Sequence, residues 1–147
     1  MADVDDSDTL DVKIAGFETF VAERLQTDLG KVDHQMNCIG LEIGEYNQLN
    51  STIEQFQKAG INKDLKTQVD LGNGFYMHAK IPNPTHIYVK VGFGFFVELT
   101  YAEAQTFIAR KIEHLDAALE QAASNAADIR SRIKLITEGI QSLKAES

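Results

Sequence analysis

The sequence holds one cysteine, Cys38, which cannot close an internal disulfide. No apolar run approaches the roughly 20 residues that a membrane-spanning helix needs. The amino terminus lacks the basic-then-apolar pattern of an export signal, so the expected setting is intracellular. Basic residues are in deficit: 14 Lys and Arg stand against 22 Asp and Glu, a net charge of −8. That field repels phosphate backbones and anionic lipid, so direct nucleic-acid or membrane binding is disfavoured and a protein partner favoured.

Chemistry-bearing sets are also missing. Two Gly-x-Gly steps, Gly72-Asn73-Gly74 and Gly92-Phe93-Gly94, are raw material for a phosphate loop. A phosphate loop needs its glycines to open a helix directly after a strand, with a following Lys-Ser or Lys-Thr or acidic partner. Here a strand-like run follows each step and no lysine does. The expected role of both is to turn the chain. His34 and His114 lie outside the helical stripes described below. His78 and His86 could face each other across Pro82-Asn83-Pro84, but two imidazoles without a third ligand make a poor zinc site. Cys38 has no catalytic companion at a motif-like spacing, and Glu113, Asp116 and Glu120 fit a solvated helix face. No metal, cofactor or enzymatic activity is expected.

What remains is mostly helix. A hydrophobic content of 44% and a charged content of 24% suit a single folded domain, expected over 13–147. The first eleven residues, MADVDDSDTLD, hold five aspartates, and residues 1–12 read as an acidic disordered tail. From Leu25 the apolar positions Leu29, Val32, Met36, Ile39, Ile43, Tyr46 and Ile53 step by four and three, with Asn50 the polar member. A second stripe runs Tyr101, Gln105, Ile108, Ile112, Leu115, Leu119, Ala122, Ala126, then through Ile129 and Ile133 to Leu143. Such heptads predict helices over about 13–58 and 100–144, each roughly 60 to 70 Å long, zipped as an antiparallel coiled coil. Thr100 and Glu103 form a capping box at the second start. Gly30, Gly40 and Gly44 each cost the first helix about 1 kcal/mol relative to alanine. Asn50 and Gln105 are expected at one level, pairing to fix the register.

Upstream of Leu25 the heptad drifts. Phe17, Phe20 and Val21 are expected near Ile136, Ile140 and Leu143 at the open end, where two helices lack a third layer to cover large side chains. An exposed apolar cluster there predicts a client-binding surface.

Between the helices the period becomes two. Runs at 67–71 and 75–81, then 86–91 and 95–99, flank the Gly-x-Gly steps in hairpin order over about 67–99. Alternation puts Ile87, Val89, Val91, Phe95, Val97 and Leu99 on one apolar face, with Val69, Leu71 and Phe75 their counterparts in the first hairpin. Hairpins this short need cover and have open edges, so they are expected to join those of other chains.

Two long helices flanking two hairpins resemble the α-class prefoldin subunit. The stretches FETFVAERLQTDLGKV (17–32), QVDLGNGFY (68–76) and IYVKVGFGFFVELTYAEAQTFIARK (87–111) carry the resemblance, from about Phe17 to the end, and favour a prefoldin-like member of the family. The acidic opening MADVDDSD departs from the more basic start of relatives. The resemblance implies an α+β fold, an antiparallel two-helix coiled coil with two central hairpins that join an oligomeric β-barrel. It also implies a non-enzymatic subunit of a hexameric chaperone-like complex in cytoplasm and nucleus. Implied partners are β-class prefoldin or prefoldin-like subunits, client proteins, and a larger cochaperone assembly with AAA-type ATPases and RNA-polymerase components. An adaptor role in transcriptional co-regulation is the implied alternative.

Overall fold

The computed structural model describes residues 5–60, 65–82 and 84–146. Helix α1 (Asp5–Thr19) passes through a π-helical segment (Phe20–Leu25) into α2 (Gln26–Lys58). Strands β1 (Leu65–Gly72) and β2 (Phe75–Ile81) form one hairpin, β3 (His86–Gly92) and β4 (Phe95–Thr100) a second, and α3 (Tyr101–Glu146) completes the chain. The described part of the expected tail differs from expectation, because Asp5 opens a helix. Ile14 gives the segment a buried anchor. Residues 1–4 of that tail lie outside the described residues.

The chain divides into two compact units, Met1–Leu41 with Asp116–Ser147, and Glu42–Leu115. In the first, Ile14, Val21, Leu25, Ala122, Ala126 and Ile140 are buried between antiparallel helical segments. The π-helical segment explains the drifting heptad. Its backbone closes with the Gln26 N–H donating to the Val21 carbonyl, five residues back, and this wider turn keeps both Val21 and Leu25 buried. Arg130 donates to Asp33 at 3.0 Å and Lys144 to Glu18 at 2.5 Å across the helices. These exposed pairs contribute under about 1 kcal/mol each and mark the alignment more than they secure it.

In the second unit a core of Ile53, Val89, Ala104 and Ile108 collects Tyr46, Leu49, Ile87, Leu99, Phe107 and Ile112 around it. Ala104 is the small residue that lets the hairpin strand β3 close on the helices. The Tyr101 hydroxyl donates to the Pro84 carbonyl, tying the link before β3 to the start of α3. The capping box forms as expected: the Thr100 N–H donates to Glu103 at 3.0 Å and the Glu103 N–H to the Thr100 hydroxyl at 3.3 Å.

The expected pairing of Asn50 with Gln105 is corrected. The Gln105 amide meets that of Gln57 at 3.4 Å, and Asn50 donates instead to Glu54 at 3.2 Å. Gln57 lies seven residues beyond Asn50. A heptad stripe specifies the face but repeats itself at every heptad, so the axial level is set by other contacts, here the closure of β3 on Ile53 and Ile108.

Candidate functional site

Two surfaces lack cover. The first is made by the hairpins. They form two separate two-stranded antiparallel sheets, so each strand keeps one unpaired edge among the described residues. In the first hairpin Leu65 pairs with Ile81, Thr67 with Ala79 and Val69 with Met77, which places the apolar side chains on one face. Val69, Leu71, Phe75, Met77 and Ile81 are exposed there. In the second, Val89 pairs with Val97 and Ile87 with Leu99.

The assembly residues expected from alternation therefore separate into two groups. Val89 is buried in the chain's own core with Ile87 and Leu99 packed against it, and Val91 is half-buried. Val89, Ile87 and Leu99 are corrected from assembly surface to internal packing, because the base of the second hairpin closes on α2 and α3, while Val91 borders an open groove. Val69, Leu71, Phe75, Phe95 and Val97 remain open. Met77, on the face of Val69, joins them, as do Tyr76, Tyr88 and Phe96 on the other faces and Phe93 in a turn, none of them singled out from the sequence.

Both turns are two-residue loops of one kind. Gly72 faces Phe75 and Gly92 faces Phe95, each next to a bulge. The central pairs have positive φ: Asn73 52° with Gly74 77°, and Phe93 49° with Gly94 79°. Positive φ at both central positions is the type I′ pattern, which matches the right-handed twist of the strands. Asparagine adopts it readily, whereas a bulky aromatic is a conformational outlier. Phe93 is also 103% exposed. Beside this hairpin a groove of about 500 Å³ is lined by Tyr46, Leu49, Tyr88, Val91 and Phe96, with Glu42, Glu45, Lys90 and Lys111 adding charge. Burial first, then Glu42 and Glu45, hold the Tyr46 phenol above its ordinary pKa.

The second surface lies in the unit that holds the helix ends. Phe17 and Phe20 are 49% and 46% exposed and, with Lys13, Gly16 and Ile136, line an apolar depression of about 440 Å³. Val21 and Ile140, expected in this client surface, are 8% exposed each and belong to the seam, a correction that follows from the π-helical turn. Leu143 is half-buried.

The titratable side chains stay dispersed. His78 stands opposite Gln68 and His86 opposite Thr100, in different sheets. The Cys38 sulfur lies 3.7 Å from His34 Nε2 on an exposed helix face, an i, i+4 contact that the sequence reading did not draw. Among the described residues no group of three or more His, Cys, Asp or Glu gathers where it could hold a metal ion. No described helix is long and apolar enough to cross a membrane.

Comparison with known proteins fits this arrangement. A protein of Nematostella vectensis described as "Protein UXT homolog" is 42% identical over 133 residues, covering 90% of this chain and 84% of its own. "Protein UXT" of Homo sapiens is 36% identical over 132 residues, 90% of this chain and 83% of its own. "Prefoldin subunit alpha" of Methanosarcina acetivorans is 30% identical over 126 residues, 85% of this chain and 84% of its own. Among solved structures, a filamentous PFD from Methanocaldococcus jannaschii aligns with a TM-score of 0.67 at 18% identity, over 82% of this chain and 98% of that one, which speaks to the fold alone. With the profile described as "Prefoldin subunit" matching residues 25–146, the chain that carries these helices and paired hairpins belongs to the prefoldin family.

Proposed function

We propose that this chain is a non-enzymatic subunit of a hetero-oligomeric prefoldin-type complex that holds unfolded or assembling client proteins, working in cytoplasm and nucleus. The observation that carries the reading is the pair of hairpins. Their edges and the apolar side chains around Phe75 and Phe95 are open, and an isolated two-stranded hairpin is marginal in water. Other prefoldin or prefoldin-like subunits of the β class would supply the missing strands by edge pairing. The exposed Phe17 and Phe20 are the client contacts in this reading, since a depression lined by aromatic side chains accepts many apolar segments without demanding one sequence. A larger cochaperone assembly with AAA-type ATPases and RNA-polymerase components is the setting we propose for the complex.

An adaptor role in transcriptional co-regulation is the second reading. It is favoured by Leu41 and Leu135, apolar side chains exposed on helix faces away from the buried stripes. Native mass spectrometry of the chain mixed with a β-class prefoldin subunit tests the assembly claim. A mixed oligomer is the expected result, and two non-interacting species would overturn it. Leu41→Ser with Leu135→Ser separates the readings: the chaperone reading expects aggregation suppression to persist, while the adaptor reading expects loss of nuclear partners in a pull-down.

A further inference from the structure

Around the depression at Phe17 and Phe20 the local charge is opposite in sign to that of the chain. The sequence has 22 acidic residues against 14 basic ones, yet among the described residues lining the depression Lys13 is the charged one and no carboxylate joins it. Neighbouring depressions of the same unit differ: one carries Glu138 with Arg130 and Lys134, the other Glu18 with Lys144. The ion pairs repeat the contrast. Within Met1–Leu41 and Asp116–Ser147, Lys31 pairs with Asp28, Arg130 with Asp33, Lys134 with Glu138 and Lys144 with Glu18. The other cations of this unit are Lys13, Arg24 and Arg132, all exposed, and among the described residues none of them enters an ion pair. Each stands four residues from a wall of the depression: Lys13 from Phe17, Arg24 from Phe20, Arg132 from Ile136. Four residues is about one helical turn, so each cation and its wall residue are neighbours on a helix face. Asp128 has the spacing to pair with Arg132 and does not.

We infer that the client segment received here is acidic as well as apolar: a large apolar side chain enters the depression, and Asp or Glu residues within about one helical turn of it meet Lys13, Arg24 and Arg132. The inference rests on the reading of Phe17 and Phe20 as client contacts and adds the class of segment that they select. Charge complementarity carries it. An acid-rich chain can neutralise its surface cations with its own carboxylates, as it does for Lys31, Arg130, Lys134 and Lys144. Cations left open around one apolar depression are available to charges from outside. A basic segment would set its own charge against all three, and like-charge juxtaposition is what excludes wrong partners at an interface. The guanidinium groups of Arg24 and Arg132 can each donate two parallel hydrogen bonds to a carboxylate, whereas the Lys13 ammonium acts as a point charge. Exposed ion pairs are individually weak, so the apolar contact supplies most of the affinity and the cations choose among apolar segments. The net charge of −8 does not reverse that choice, because at physiological salt screening confines the effect of exposed charges to about 8 Å.

The test uses three labelled peptides of one length, with Leu and Phe at identical positions and Glu, Gln or Lys between them, titrated with the full chain and read by fluorescence anisotropy. The expected order of affinity is Glu, then Gln, then Lys, with the Glu peptide about fivefold or more tighter than the Lys peptide, since three exposed ion pairs act together. Raising sodium chloride from about 0.05 to about 0.5 M should shrink that ratio. Lys13→Glu with Arg132→Glu should invert the order. Lys58→Glu with Arg110→Glu, the same change of net charge at exposed positions in the other unit, should keep it. Inversion is not an outcome of lost folding, because a collapsed depression would bind none of the peptides. Equal affinities for all three, or an order unchanged in the Lys13/Arg132 variant, would overturn the inference. If in that case Phe17→Ser with Phe20→Ser still weakens all three peptides, the client reading stands without it. Binding of no peptide up to about 100 μM would sink both.

Discussion

Replacing Phe17 and Phe20 by serine should separate client binding from folding. Each side chain is about half exposed. An aromatic residue carries about 200 Å² of surface, so a client can cover about 100 Å² on each. At about 25 cal/mol per Å² that is worth about 2.5 kcal/mol per residue as an upper limit. Ordering a client side chain costs about 0.5–1.5 kcal/mol at each contact, so about 2–4 kcal/mol remains for the pair as an upper limit. The double variant should therefore need at least about ten, and at most about a thousand, times more protein to halve light scattering from an aggregating client. Its thermal midpoint should move little, since the lost side chains were half in water already. Val21→Ser with Ile140→Ser is the contrasting pair. Both residues are buried in the seam, and emptying such sites costs about 2–5 kcal/mol each, so helicity should fall together with activity. Undiminished suppression by the Phe17/Phe20 variant at wild-type concentration would refute the assignment of these side chains to clients.

Three other expectations concern stability. Ile53→Ala, at the most buried large side chain of the second unit, should cost about 2–5 kcal/mol in urea unfolding, and a loss below about 1 kcal/mol would mean that the core does not close around it. Gly30→Ala and Gly40→Ala should each stabilise by up to about 1 kcal/mol, because a methyl group added there meets nothing within 4 Å and the helix gains propensity; lower thermal midpoints would contradict this. The Tyr46 phenol is held above its ordinary pKa in the folded chain, mainly by burial. Its contribution to stability is therefore full below the unfolded pKa of about 10 and lost as pH rises through the higher folded value. Tyr46→Phe should flatten the decline in stability above about pH 10, as followed by circular dichroism.

The parts of this fold legible in the sequence are those that a short period writes directly. Spacings of four and three placed Leu25, Ile53, Ile108 and Ala126 inside, and strict alternation placed Val89 with Val97 and Ile87 with Leu99 on a shared face. Thr100 and Glu103 announced the start of α3 through their own hydrogen bonds. What stayed hidden is set by longer-range choices. A heptad is unchanged by a shift of seven residues, so it did not distinguish Asn50 from Gln57 as the partner of Gln105. The π-helical turn depends on which carbonyl the Gln26 N–H selects, and the spacing around Val21 registered only as drift. Alternation names the face of Val89 and Phe95 but not how far along the strand the helices reach, so one is buried and the other open. Phe93 was hidden for another reason: Gly-x-Gly reads as a turn whatever the middle residue is, and its significance emerges only with a φ of 49°.

The central claim is that the hairpins are unfinished in the single chain and completed by other prefoldin-type subunits. Hydrogen–deuterium exchange of the amides in 65–81 and 86–100, with and without a β-class prefoldin subunit, tests it most directly. The account expects those amides to exchange quickly in the dilute chain and to slow by about a hundredfold or more on mixing, equivalent to about 2.7 kcal/mol or more of added local stability, while the amides of α3 change little. Hairpins already protected in the dilute monomer, or unchanged on mixing, would contradict it.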